Sequence, residues 1–164
     1  RFVTEMCLSA VVQLSKCGYE IPIDIWYRLE LMLEFIMYYT KPDGKAPVVG
    51  DQDDARLHPF SLQDNLNHAD LLALGAVLFN RSDFKAAAGM YPIDGLFLLG
   101  NDSLDEYDQL PAATLALNSK AYPDAGFYII RNEKDYMFIN NSGKSKNSEL
   151  GGGTHTHSDL LSFE

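Results

Sequence analysis

The 164 residues are 46% hydrophobic and 12% aromatic, enough apolar material for a packed core and too much for a disordered chain. The formal net charge of −10 and a pI near 4.7 exclude the concentrated basic surface that nucleic-acid binding needs. No apolar run approaches the roughly 20 residues required to span a bilayer.

Residues 2 to 17 begin the chain with Phe2, Val3, Met6, Leu8, Ala10, Val11, Leu14 and Cys17 at helical spacing, and Gly18 follows as a terminator. A second helical run starts near Pro22 and carries Ile25, Trp26, Leu29, Leu31, Met32, Leu33, Phe35, Ile36 and Tyr39, ending before Pro42-Asp43-Gly44. Both runs are apolar over more than a narrow stripe, so each is expected to pack on two sides, as in a layered helical array. Trp26 and the Tyr38-Tyr39 pair then belong to the core. Cys7 and Cys17, ten residues apart on one helix, stand about 15 Å from each other, too far for a disulfide, and are expected to be buried free thiols.

Residues 41–59 read as a loop from Pro42, Gly44, Pro47, Gly50, Pro59 and a cluster of acids. A loop of this length in a compact domain is commonly functional. Its Asp51, Asp53, Asp54 and Arg56 either line a groove or form a solvated turn whose carboxylates pair locally. His58 and His68 read as ordinary surface or interface residues. Helical signals return at His68 to Phe79, at Phe84 to Ala88 and at Ile93 to Leu99. After Pro111 the character changes. The short runs Gly126 to Arg131 and Asp135 to Asn140 are β-branched and aromatic, and Asn132-Glu133-Lys134 between them fits a hairpin turn. A polar stretch ending in Gly151-Gly152-Gly153 leads into Thr154 to Glu164, which reads as a third strand. The order, helices first and antiparallel sheet second, points to an α+β chain of two domains, both incomplete, with residues 1–111 helical and residues 112–164 a linker and the start of a sheet.

The run His155-Thr-His157-Ser-Asp159 carries the chemistry. In a strand, residues i and i+2 share a face, so two imidazoles and a carboxylate would point the same way. That set is part of a zinc site, or a metal ligand beside a proton-transfer group. The plain alternative is a polar strand end, against which stands the apolar continuation Leu160-Leu161-Ser162-Phe163.

Tyr122-Pro-Asp-Ala-Gly126-Phe-Tyr, a second strand, a Gly-rich stretch and His155-Thr-His157-Ser-Asp159-Leu-Leu-Ser162-Phe163 together resemble the motif of heparinase II/III-type polysaccharide lyases. Pro42-Asp-Gly44-Lys-Ala-Pro47-Val-Val-Gly50-Asp51-Gln-Asp53-Asp54-Ala-Arg56 resembles a loop in the same family's helical domain. The resemblance implies an (α/α) toroid followed by an antiparallel β-sandwich, cleaving an anionic, uronic-acid-containing polysaccharide by β-elimination. In such a reaction a base removes the proton at C5, the uronate carboxylate is neutralised, and an acid protonates the departing oxygen at C4. Carried over, His155 matches the catalytic histidine on the sandwich side and His157 a ligand of a structural zinc whose other ligands would follow Glu164. Asp159 matches a motif position of undefined role, and Asp53 and Arg56 are the loop's candidates for lining the substrate groove, Arg56 by orienting the sugar, beside the alternative of a locally paired solvated loop. The family's catalytic Tyr would precede Arg1, with the carboxylate-neutralising residue further upstream, so the 164 residues read as an internal piece, inactive alone. A bacterial periplasmic or secreted location is likewise implied by the family only. Two other classes compete: a metal-dependent hydrolase using the His-x-His pair at the start of an α/β barrel, and a carbohydrate-binding relative without catalysis.

Overall fold

A computed structural model describes residues 1–49, 55–58, 60, 64–132, 134–141 and 162–163. Helix α1 (Phe2–Lys16) stops where the sequence provides a left-handed residue: Gly18 has φ +83°. Its amide donates to Ser15 O (3.0 Å) and that of Tyr19 to Leu14 O (3.0 Å), the paired 5→2 and 6→1 bonds of a Schellman stop. Helix α2 (Ile23–Tyr39) follows Pro22 and buries Leu29, Leu33 and Ile36, one stripe at spacings of four and three. Helix α3 (Asp70–Phe79) is the centre of the helical layer. Leu71 to Leu74 and Ala76 are each at most 3% exposed, as expected for a helix apolar on every side. Gly75 lets its neighbours approach: a Cβ there would lie 2.7 Å from Leu33 Cδ1 and 3.2 Å from Phe84 Cδ2.

Three short helices follow: α4 (Ser82–Ala88), α5 (Ile93–Leu99) and α6 (Asp102–Gln109). The short, acidic α6 has only Leu104 and Tyr107 as large apolar residues, too few to announce it in the sequence. It is held by neighbours instead. Tyr107 is 3% exposed and its hydroxyl donates to Gly89 O (2.6 Å), while Lys85 Nζ donates to the carbonyls of Tyr107, Asp108 and Leu110 at 2.7, 3.0 and 2.9 Å. A cation on the last carbonyls of a helix satisfies orphan acceptors and opposes the dipole. Lys16 of α1 does the same for α5, donating to Leu98 O and Leu99 O at 2.9 Å each.

Residues 111–119 have no helix or strand, and an antiparallel sheet then follows in the order β1 (Lys120–Tyr122), β2 (Phe127–Arg131), β3 (Tyr136–Asn140) and β4 (Ser162–Phe163). The β2–β3 turn rests on Asn132, whose Oδ1 accepts from the amides of Lys134 (2.8 Å) and Asp135 (2.9 Å). The register partners Ile129 and Phe138 are 1% and 2% exposed and belong to the same apolar core as the helices. The sheet meets the C-terminal half of α2. Phe35 packs against Tyr122 (4.8 Å between ring centres) and Phe127 (5.8 Å), Arg131 Nη1 donates to Tyr38 O (3.0 Å), and the Tyr136 hydroxyl donates to Tyr39 O (2.5 Å).

The molecule is thus α+β, with six helices among the described residues and a small antiparallel sheet after them. Among the described residues, no helix is long and apolar enough to cross a membrane. Two expectations from the sequence need correcting. Helix α1 and the N-terminal half of α2 leave apolar side chains in solvent, Val3, Met6, Leu14, Ile23, Ile25, Tyr27 and Leu31 being 42–78% exposed, whereas from Met32 to Tyr39 α2 is packed on two sides as expected, by helices and by the sheet. Cys7 and Cys17, expected to be buried, are exposed for the same reason, since both fall outside the buried stripe of α1.

Candidate functional site

The helical layer and the sheet frame one cleft of about 260 Å³. Its apolar walls are Phe2 of α1, Phe35 of α2, Phe127 of β2 and Phe138 of β3, and the loop between α2 and α3 adds Ala46, Pro47, Val49 and Ala55. Its polar lining is Arg1, Tyr39, Asn65 and His68. Aromatic walls with a few placed polar groups are the usual make-up of a small-molecule site.

The Tyr39 hydroxyl and His68 Nδ1 are 2.7 Å apart, and the His68 ring also bonds the Asn65 backbone. Burial, with the positive charges of Arg1 and Arg56, pushes the His68 pKa down to about 3, so the ring is neutral and accepts at Nδ1. Burial likewise raises the Tyr39 pKa, which keeps the phenol protonated as the donor. Tyr39 is 7% exposed, so the pair holds the floor of the cleft and the loop's return to α3.

Beside the cleft lies a buried ion cluster. Arg1 donates to Asp70 through both terminal nitrogens (2.5 and 3.0 Å) and to Asn67 O (2.8 Å), and its Nη2 lies 3.6 Å from Glu5 Oε1. Arg56 Nη2 bridges Asp70 Oδ2 (3.0 Å) and Asp94 Oδ2 (3.4 Å). Glu5 accepts from the backbone amides of Leu57 (2.9 Å) and His58 (3.3 Å). All five side chains are only 3–8% exposed. Burial works against the Arg1 charge, but the hydrogen bond and charge of Asp70, with Glu5, more than offset it and raise its pKa.

Two guanidinium groups face three carboxylates here, and the helices supply the balance. Glu5, Asp70 and Asp94 occupy the first turns of α1, α3 and α5, where the positive helix ends favour an anion. Arg1 Nε, Arg56 Nε and Arg56 Nη1 are buried and have no hydrogen-bond partner among the described residues.

Arg56, expected to touch substrate, is therefore inside the cluster; Ala55 lines the cleft and Arg56 does not. Asp53, His155, His157 and Asp159 lie outside the described residues. Among the described residues no group of three His, Cys, Asp or Glu side chains is placed to hold a metal ion. Sequence reasoning missed Glu5, Asp70 and Asp94. Each is an acid at the start of an apolar helix, which reads as dipole compensation at a solvated end; its burial depends on the partner arginines.

No family model, no curated protein and no solved structure matches the chain.

Proposed function

We propose that this chain is part of a polysaccharide lyase that cleaves a uronic-acid-containing polysaccharide by β-elimination. The observation that carries the reading is the cleft at the junction of helices and sheet, which gives a sugar chain apolar walls from both. The sequence motif adds the chemistry. Ser162 and Phe163 pair with Asn140 and Ile139 of β3, the strand whose Phe138 lines the cleft. His155 stands seven positions before Ser162 in the sequence.

In this reading His155 serves proton transfer at the reacting sugar, with the C5 proton leaving to a base and the C4 oxygen gaining one from an acid. Asp53 belongs to the cleft-forming loop and contacts the substrate. His157 contributes to a structural zinc site, and no step of the reaction runs through that metal. The substrate is an anionic polysaccharide, and the setting periplasmic or secreted.

The test is an assay of the full-length protein against a panel of polyuronates, heparan sulfate, heparin, alginate and bacterial exopolysaccharides, following the ultraviolet absorbance of new C4–C5 double bonds. One substrate should give signal with the unmodified protein and none with His155→Ala at unchanged folding. An unaffected His155→Ala variant would remove that residue from the mechanism, and no signal on any polyuronate would remove the lyase reading.

A further inference from the structure

The geometry points to Arg56 as a positioning residue: through the buried bridge to Asp70 and Asp94 it sets the loop wall of the cleft, and it does not touch the sugar. Three observations carry this. The Arg56 side chain is 5% exposed and its Nη2 is shared by two carboxylates from two helices, α3 and α5. With that one terminal nitrogen held between carboxylates of α3 and α5, the end of the side chain is anchored to both helices. The residues on either side of Arg56 are placed accordingly. Ala55 forms cleft wall, while the amides of Leu57 and His58 are captured by Glu5 of α1.

The cluster thus ties one loop to the first turns of three helices, and the loop supplies the cleft with Ala46, Pro47, Val49, Ala55 and Asn65. A direct contact with a uronate is disfavoured by charge. Asp70 and Asp94 already neutralise Arg56, and Glu5 beside them leaves the described cluster one carboxylate in excess.

The kinetic part of the test rests on the lyase reading and the exchange part does not. In the full-length protein, Arg56→Lys, Asp94→Asn and the double variant are compared for kcat, KM and hydrogen exchange of the Leu57 and His58 amides. Each single change should accelerate exchange at those two amides by about tenfold or more and raise KM by a similar factor with kcat nearly unchanged, and the double variant should be no worse than the worse single one. Additive effects on KM with both amides as protected as before would mean that Arg56 binds substrate itself and would overturn the proposal. So would unchanged exchange in every variant. If Arg56→Lys loosens the whole helical layer, seen as exchange throughout α3, the isosteric Asp94→Asn decides alone by the same two readouts. If no polyuronate is cleaved, the lyase reading fails by itself and the exchange result still settles the anchoring role.

Discussion

Helix α1 departs from the usual amphipathic arrangement at its N-terminal half, where polar residues are buried and apolar ones exposed. Toward the loop between α2 and α3 it buries Glu5 at 2% and Ser9 at 8%, whereas on the opposite side Val3 is 63% and Met6 46% exposed. Hydrophobicity buries Leu8, Val11 and Val12, but partnership decides the burial of Glu5 and Ser9. Glu5 meets two loop amides and Arg1, and Ser9 Oγ lies 2.8 Å from His58 Nε2. A buried carboxylate is tolerated only when its lone pairs are used, and here one loop uses them. The contrast teaches that the loop between α2 and α3 is as much part of the helical layer's interior as the apolar stripe of α2.

The sharpest way to break this contrast is to remove the buried acid. Glu5→Ala leaves the Leu57 and His58 amides without an acceptor and takes one carboxylate away from Arg1, and should cost about 3–5 kcal/mol in denaturant unfolding, while Met6→Ser on the outer face should change stability by no more than about 0.5 kcal/mol. Similar values for the two would show that the inner face carries no special weight. Packing comes next. Gly75→Ala places a methyl group against Leu33 and the fully buried Phe84 and should destabilise by about 1–3 kcal/mol, measured the same way.

Acid titration tests the His68 contact and has the smallest expected effect near neutrality. The folded pKa of about 3 lies below the ordinary 6.5, so the unfolded chain binds the extra proton first. The His68 contribution is therefore intact above about pH 6.5 and is lost as pH falls toward 3. His68→Asn should flatten the decline of stability across that window, and an unchanged decline would remove His68 as its source.

The helices with a strong apolar period were legible before the structure. The ends of α1 and α2, the span Ile93–Leu99 and the β2–β3 hairpin all follow from side-chain spacing and from Gly18, Pro22 and Asn132. Helix α6 was not legible, because what stabilises it comes from Lys85 and Tyr107 bonding across helices. The same limit applies to the candidate site. The Asp-rich loop stood out by composition, but the pairing of Arg56 with acids 14 and 38 residues away depends on how helix ends converge, which no local pattern encodes. The exposed thiols were misjudged because a broad apolar face was equated with burial on both sides.

The account's central claim, β-elimination at the helix–sheet cleft, is tested most directly by the mass of the oligosaccharides that the full-length protein releases from a polyuronate it cleaves. The account predicts a new non-reducing end lighter by one water than the hydrolytic product and carrying a C4–C5 double bond. Products that have gained the water would contradict it and favour a hydrolase built on the same His-x-His pair.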